Sequence, residues 1–180
     1  MMDAPFLIPV GVVEMPNKDR REISPGVWVG KNFRCKKGAI IGGIPIGQKD
    51  FHYFGVEIGD NVEVGPNSVI MEGIEGPTKI GNNVTIGGLC SIGHDCDVGD
   101  NVEILIGSHI AGFVTIEKNA VVAMHGSIIS RVTIGKGAFV GKDSNVMEDI
   151  PNNVIAYGNP ARVIRKRRNF VSFLLRHYLK

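Results

Sequence analysis

The stretch "TKIGNNVTIGGLCSIGHDCDVGDNVEILIGSHI", residues 78–110, decides the fold because an aliphatic residue returns at every sixth position. A period of six fits neither an amphipathic helix nor a simple alternating strand. It predicts short strands separated by corners, so that three strands close a triangular coil of about 18 residues and the coils stack at about 4.8 Å. Four residues after each aliphatic stands a residue that is usually small or β-branched, which suits the second inward position of each strand. The aliphatic residues in phase are Ile80, Ile86, Ile92, Val98, Ile104, Ile110, Ile116, Val122, Ile128, Ile134, Val140 and Val146.

The repeat extends towards the N-terminus with two interruptions. The same phase runs through residues 23–41 and 58–70, so we predict coils over about residues 23–151 with loops at 43–57 and 72–78. The pattern resembles that of the hexapeptide-repeat acyltransferases, which implies a left-handed coil, an exception to the right-handed crossover rule. We therefore expect an all-β protein, with a left-handed parallel β-helix domain over residues 1–160.

The end of the chain differs in charge from the rest. Residues 161–180 contain seven Arg or Lys residues and no acid, whereas the net charge of the whole chain is only +2. The segment "RNFVSFLLRHYL", residues 168–179, favours a short basic C-terminal helix within 161–180 that docks on the last coil. Alternatively, the cations nearest the coil, Arg162 and Arg165, could pair with the phosphates of coenzyme A (CoA).

Composition predicts an ordinary globular protein. The chain has 180 residues, of which 43% are hydrophobic, and no apolar run approaches the roughly 18 residues that a membrane span needs. The N-terminus lacks a basic region ahead of its apolar run, so we expect a cytoplasmic protein without integral membrane association. The cysteines form no CxxC pair and are expected to be reduced and structural. The basic charge is local and no nucleic-acid-binding motif accompanies it, so nucleic acid is not an expected partner.

His94 is the candidate catalytic residue because counting rows in threes places it where both loops leave the coil. As the third residue of its repeat it lies at a corner, over Glu72 at the start of the second loop and over Gly43 at the start of the first. Directly above it, 18 residues on, is Gly112, and one coil higher is Ser130. A glycine beside an exposed imidazole is expected to leave its backbone N–H accessible to a small ligand.

This constellation suits acyl transfer from a thioester. That reaction needs a general base for the attacking amine or hydroxyl and a donor for the tetrahedral oxyanion. We expect His94 to be the base, Asp95 to orient it and the Gly112 N–H to hold the oxyanion. The alternative is that His94 is a solvated corner residue without a chemical role.

Longer segments resemble two groups within the hexapeptide-repeat acyltransferases. "IIGGIPIGQKDFHYFGVEIGDN" (40–61) and "MEGIEGPTKIGNNVTIGGLCSIGHDCDVGDN" (71–101) resemble the acyl-carrier-protein-dependent UDP-sugar acyltransferases of lipid A synthesis, in which the His of a similar HDC is the base. "HDCDVGDNVEILIGSHIAG" (94–112) and "VIAYGNPARVI" (154–164) resemble the acetyl-CoA-dependent acetyltransferases of nucleotide-linked amino sugars. The lipid A enzymes carry a longer helical C-terminal domain, so the short tail favours an acetyl-CoA user.

The resemblance implies roles residue by residue. His94 matches the base, Asp95 its acidic neighbour and Gly112 the oxyanion donor. Some amino-sugar acetyltransferases have a second His nine residues after the base; here that position is Glu103, so the contact is lost or made differently. The candidate acetyl-CoA contacts are Gly112, Ala123, Met124, Ser130, Gly141, Lys142 and Arg162.

The first loop supplies candidate acceptor contacts. Its aromatic residues could stack on a nucleotide base or a sugar ring, with neighbouring polar residues fixing the orientation. Equally, the loop could be a plug that covers the open flank of the coil. The candidate substrate-binding residues are Gln48, Lys49, Asp50, Phe51, His52, Tyr53 and Glu72.

Three classes of function remain open. We favour an acetyl-CoA-dependent N-acetyltransferase acting on a dTDP- or UDP-linked amino sugar for surface polysaccharide, with O-acetylation and longer acyl donors as variants. The resemblance also implies a homotrimer with active sites between subunits. A metal-dependent hydratase would need three zinc ligands, but His94, His109 and His125 are 15 and 16 residues apart and do not stack, so we expect no metal site. The third class is a non-catalytic β-helix scaffold.

Overall fold

The computed structural model describes residues 21–43 and 52–167, which form a left-handed parallel β-helix with three sheets as its faces. Sheet 1 contains β1 (Arg21–Ser24), β2 (Val27–Val29), β5 (Val56–Ile58), β8 (Thr78–Ile80), β11 (Asp97–Val98), β14 (Thr115–Ile116) and β17 (Thr133–Ile134). Sheet 2 contains β3 (Arg34–Cys35), β6 (Glu63–Val64), β9 (Thr85–Ile86), β12 (Glu103–Ile104), β15 (Val121–Val122), β18 (Phe139–Val140), β20 (Val154–Tyr157) and β21 (Arg162–Lys166). Sheet 3 contains β4 (Ile40–Gly43), β7 (Val69–Met71), β10 (Ser91–Ile92), β13 (His109–Ile110), β16 (Ser127–Ile128) and β19 (Asn145–Val146).

The predicted stacking of rows is confirmed by the strand register. Ile92 pairs with Ile70 below it and with Ile110 above it, and Ile70 pairs in turn with Ile41. Strands of the same sheet lie one coil apart, so every third repeat shares a face of the prism. Column positions read from the sequence are therefore positions in space.

The core is a column of aliphatic side chains along the helix axis. Ile92, Ile104 and Ile116 are fully buried, and the small residues at the second inward position, such as Ser108 and Ala120, are equally inaccessible. Each fully buried isoleucine contributes about 1.5–3 kcal/mol relative to an exposed one. The repeat therefore supplies both the shape and most of the apolar stabilisation.

Polar side chains close the turns from sheet 1 to sheet 2. Asn61, Asn83 and Asn101 adopt the left-handed backbone conformation, with φ of 56°, 55° and 57°. Asparagine tolerates this region better than most residues. Their side-chain amides also hydrogen bond to one another up the corner, Asn61 Nδ2 to Asn83 Oδ1 at 3.0 Å and Asn83 Nδ2 to Asn101 Oδ1 at 3.3 Å.

The C-terminal helix prediction is wrong over residues 162–166. These residues form β21, an exposed strand antiparallel to β20, with Tyr157 paired to Arg162 and Val154 paired to Lys166. The β-branched pair Val163 and Ile164 suits a strand, and the chain reverses just before it, at residues 158–161. Residues 168–180, which hold the rest of the predicted helix, lie outside the described residues.

Two further observations concern membranes and cysteines. Across residues 21–43 and 52–167 there is no helix with the length and apolarity needed to span a bilayer. Cys35, Cys90 and Cys96 are free and buried, as expected from their inward positions.

Candidate active site

Most of the described candidate site residues lie at two of the three corners of the β-helix, each of which is a stack of turns. We call the turns from sheet 3 to sheet 1 (residues 93–96, 111–114 and 129–132) the His94 corner. We call the turns from sheet 2 to sheet 3 (residues 105–108, 123–126 and 141–144) the Met124 corner. Sheet 3 lies between them, so its outer face connects the two corners.

His94 and Asp95 form a hydrogen-bonded pair. His94 Nδ1 lies 2.8 Å from Asp95 Oδ2, and the His94 side chain is 23% exposed while that of Asp95 is 7% exposed. With Asp95 ionised, Nδ1 carries the proton and donates a hydrogen bond to the carboxylate, which leaves the Nε2 lone pair free. The imidazole is thus held in the tautomer that a general base requires.

Asp95 also fastens the second loop to the coil. Its carboxylate accepts hydrogen bonds from the backbone N–H groups of Ile74 at 3.0 Å, Glu75 at 2.8 Å and Gly76 at 2.9 Å. Burial raises the pKa of Asp95, but these hydrogen bonds together with that from His94 outweigh burial and hold its pKa below the ordinary value. The side chain that orients the imidazole therefore also sets the position of loop 72–78.

Gly112 lies against the imidazole, as predicted. A Cβ built on Gly112 would stand 2.7 Å from both Nε2 and Cε1 of His94. At the turns from sheet 1 to sheet 2, the equivalent N–H donates to a side chain of the next coil, as in Asn82 N to Asp100 Oδ1 at 2.6 Å. Among the backbone hydrogen bonds of the described residues, none is donated by Gly112. The Gly112 N–H therefore has no backbone acceptor in the described residues, and a free donor at this corner is what an oxyanion would require.

A groove on the outer face of sheet 3 runs past this corner. It has a volume of about 390 Å³ and is lined on one side by His94 and Gly112. Across its floor, Ser91 Oγ and His109 Nδ1 are 2.9 Å apart. The other lining residues are Met71, Gly93, Ile110, Ala111, Ser127, Ile128 and Ile129.

Sequence reasoning missed Ser91 and His109 as lining residues of this groove. Both are the outward residues of strands whose next corner holds His94 or Gly112, so the signal was their phase within the repeat. His109 entered the argument only as a rejected zinc ligand.

The candidate acetyl-CoA contacts are divided between the two corners. Gly112 and Ser130 lie at the His94 corner, whereas Ala123, Met124, Gly141 and Lys142 lie at the Met124 corner, across sheet 3. Gly141 is buried, and a Cβ there would overlap the Tyr157 ring. Arg162 is on the exposed strand β21, where its Nη1 lies 3.9 Å from Glu148 Oε2. Within one chain these residues do not form a single surface with His94.

The Met124 corner carries a second imidazole and carboxylate. His125 Nδ1 lies 3.3 Å from Asp143 Oδ1, and both side chains are more than half exposed. Glu103, at the position of the family's second histidine, is buried in β12 of sheet 2, the face that does not border the His94 corner.

The candidate acceptor residues are only partly described. Gln48, Lys49, Asp50 and Phe51 lie outside the described residues. His52 is exposed, Tyr53 is half-buried, and the His52 ring packs edge-on against Phe54 with centroids 5.1 Å apart.

The two loops meet beside Glu72. The Glu72 N–H donates to Gly43 O at 3.0 Å, and the Phe54 N–H donates to Gly73 O at 3.0 Å. Burial raises the pKa of the Glu72 carboxyl. The predicted convergence of both loops on one edge is confirmed for the described parts.

Two other kinds of site, a metal centre and a reactive thiol, have no matching arrangement in the described residues. No cluster of three or more His, Cys, Asp or Glu side chains there is arranged to hold a metal ion. Cys96 is buried with Sγ 3.1 Å from Ala111 O, and burial raises its pKa to about 12, so its thiol lacks the character of a nucleophile.

Comparison with known proteins finds the same repeat and the same fold. Residues 77–105 match the family described as bacterial transferase hexapeptide (six repeats). The six-residue repeat that this family describes is the one that builds the β-helix of this chain. It is 36% identical over 111 residues to UDP-3-O-acylglucosamine N-acyltransferase 2 of Rhodopseudomonas palustris, covering 62% of this chain and 30% of that protein. It is 40% identical over 114 residues to a Saccharomyces cerevisiae protein whose own assignment as an acetyltransferase is provisional, covering 62% of this chain and 56% of that protein.

A solved structure extends the similarity to the fold. The UDP-N-acetylglucosamine acyltransferase of Campylobacter jejuni superposes with a TM-score of 0.73 at 31% identity, covering 81% of this hexapeptide-repeat protein and 60% of that chain. The hexapeptide-repeat protein thus spans between about a third and three fifths of these three relatives.

Proposed function

We propose that this protein is a cytoplasmic acyltransferase that moves the acetyl group of acetyl-CoA to the amine of a dTDP- or UDP-linked amino sugar. The observation that carries the proposal is the arrangement of three groups at one corner. A base oriented by a carboxylate, His94 with Asp95, lies against a glycine, Gly112, whose N–H is unpaired in the described part of the chain. The named relatives support sugar acylation, since two act on UDP-linked glucosamine derivatives and a third carries an acetyltransferase assignment.

The proposed reaction is a direct transfer. The amine lone pair forms a bond to the thioester carbonyl carbon while His94 Nε2 takes a proton from the amine. The carbonyl oxygen becomes an oxyanion that accepts a hydrogen bond from the Gly112 N–H. When the intermediate collapses, the C–S bond breaks and the CoA thiolate takes the proton from His94, which leaves the amide and free CoA. No covalent acyl-enzyme is needed.

The division of the acetyl-CoA contacts supports a homotrimer. Met124 and Lys142 lie at the other edge of sheet 3 from His94, and in one chain neither of them lines the groove. If the Met124 corner of a neighbouring subunit faced the His94 corner, the thioester would lie in a cleft between subunits. The prediction is a trimer by sedimentation equilibrium, and a monomer that retained full activity would contradict it.

The first experiment is mass spectrometry of UDP- and dTDP-amino sugars incubated with acetyl-CoA. We expect the wild type to acetylate at least one of them and His94→Asn to be slower by about 10²- to 10⁴-fold, the range for loss of a general base. Equal activity of His94→Asn would contradict the role of His94. A folded wild type that neither binds acetyl-CoA nor forms product would instead indicate a scaffold, and stoichiometric zinc would indicate a hydratase.

A longer acyl donor is the second candidate. The lining of the groove by Met71 and Ile129 favours it, because apolar side chains on its wall can bury methylene groups at about 0.8 kcal/mol each. Acyl-CoA donors of increasing length, and acceptors with a hydroxyl in place of the amine, would separate these variants.

A further inference from the structure

Two side chains next to His94, Phe113 and Arg131, have no part in the proposed chemistry. They stand above Asp95 in one column, 18 residues apart. The Phe113 ring packs edge-on against the His94 imidazole, with centroids 5.0 Å apart and an interplanar angle of 90°. The Arg131 guanidinium carbon lies 4.2 Å from the Phe113 centroid. The cation is therefore within about 9 Å of the imidazole, and its distance from the Phe113 ring is typical of cation–π pairs.

The backbone at these positions is unusual for such side chains. Phe113 and Arg131 have φ of 60° and 65°, in the left-handed region that the turns from sheet 1 to sheet 2 fill with asparagine. Bulky side chains rarely adopt it, and where they do, the surrounding structure holds them and function is a common reason. In this structure the Arg131 guanidinium lies over the Phe113 ring of the coil below it.

The guanidinium edge is available to an anion. In the part of the chain that the structure describes, Arg131 forms no ion pair, and the nearby carboxylate of Asp95 is occupied by loop 72–78 and His94. In the same part of the chain, the Arg131 side chain donates no hydrogen bond, so its N–H groups remain available as donors. These groups match the oxygens of a phosphate.

The distance between Arg131 and His94 indicates whether Arg131 would bind a phosphate of the nucleotide sugar or one of acetyl-CoA. In a nucleotide-linked amino sugar, the phosphate on the anomeric carbon lies about 4–7 Å from an amine on the ring, by ordinary bond lengths. In acetyl-CoA, the pantetheine arm separates the sulfur from the nearest phosphate by about 15 Å when extended. A cation within about 9 Å of the base fits the first separation and not the second.

We infer that Arg131, held on Phe113, binds the diphosphate of the nucleotide-linked acceptor and so presents its amine to His94. This inference rests on the proposed function for its substrate. It divides the surroundings of His94 into an apolar groove on sheet 3 for the acyl donor and a cationic wall towards sheet 1 for the acceptor.

The test is steady-state kinetics of Arg131→Gln on the acceptor that the mass-spectrometric panel identifies. We expect KM for the nucleotide-linked sugar to rise roughly 10- to 100-fold, the effect of losing a charge-assisted contact. We expect kcat and KM for acetyl-CoA to change by less than about threefold, and Lys118→Gln, an exposed cation at the next corner, to match the wild type. With the methyl glycoside of the same amino sugar, which has no phosphate, the wild type and Arg131→Gln should be equal.

Several outcomes would overturn the inference. An unchanged KM for the acceptor, or a rise in KM for acetyl-CoA instead, would remove Arg131 from the acceptor site while leaving the proposed function intact. If the wild type acetylates no nucleotide sugar, the proposed function fails. Calorimetry with UDP and dTDP then tests the phosphate site at Arg131 independently of the reaction. Weaker binding of UDP or dTDP by Arg131→Gln than by the wild type would support a phosphate site at Arg131. No binding of either nucleotide by the wild type would refute it.

Discussion

Replacing Gly112 with Ala is expected to remove most of the activity without unfolding the protein. The new Cβ would stand 2.7 Å from Nε2 and Cε1 of His94, whereas ordinary contacts begin at 3.4 Å. The imidazole must therefore move by about 0.7 Å, although its Nδ1 is held by Asp95. A misplacement of about 1 Å of the reacting groups can cost about 100-fold in rate, so a loss approaching that size is expected.

The methyl group also crowds the Gly112 N–H. Loss of one oxyanion donor costs about 10²- to 10³-fold in kcat, or about 3–4 kcal/mol, so we expect a fall in kcat of at least 100-fold. The fold should tolerate the change because φ of Gly112 is outside the left-handed region and the clash is with one side chain. Replacing Gly by Ala at an unstrained site changes stability by about 1 kcal/mol or less, which is a shift in Tm of about 2–4 °C for a chain of this size.

The assay is kcat and KM for both substrates, beside thermal unfolding followed by circular dichroism. Lys118→Ala is the matched control, because Lys118 occupies the equivalent place in its repeat at the next corner. Activity of Gly112→Ala within threefold of the wild type would refute both the contact with His94 and the oxyanion role. A large fall in Tm would refute the claim that the backbone there accepts alanine.

Three further predictions concern titrating groups. The folded-state pKa of Asp95 is depressed, so its contribution to stability is complete above about pH 4 and disappears as the pH falls through the lower folded value. Asp95→Asn should therefore lower Tm at pH 7, and its difference in Tm from the wild type should close at low pH. A difference that stayed constant with pH would contradict this prediction. Burial raises the pKa of Glu72, so folding becomes less favourable as the pH rises above the ordinary pKa of a glutamate. Glu72→Gln should therefore unfold at the same or a higher temperature than the wild type at pH 7. A clear loss of Tm at that pH would show that the carboxylate is needed. Iodoacetamide at pH 7.5 should leave the native enzyme active with all three buried thiols unmodified, and parallel alkylation and inactivation would revive a covalent acyl-enzyme.

Column counting also held information that the resemblance obscured. Met124 is 30 residues from His94, which is one full coil and two further faces, so the sequence alone places it at another corner. Gly112 is 18 residues away, which places it directly above. The resemblance implied an acetyl-CoA contact for both Met124 and Gly112, although the repeat already places these two residues at different corners.

The sequence by itself determined the coil, the three faces, the inward residues and the stacking of Gly112 on His94. It could do so because a repeating backbone carries each local conformation forward by a fixed step, so spacing in the chain becomes position in space. Tertiary structure alone decided the features that do not repeat. The clamp of Asp95 on loop 72–78 and the pairing of β21 with β20 each depend on contacts between segments of different conformation. No period in the sequence encodes such contacts, because they form only where packing leaves a hydrogen-bonding group or a ring face open to a distant neighbour.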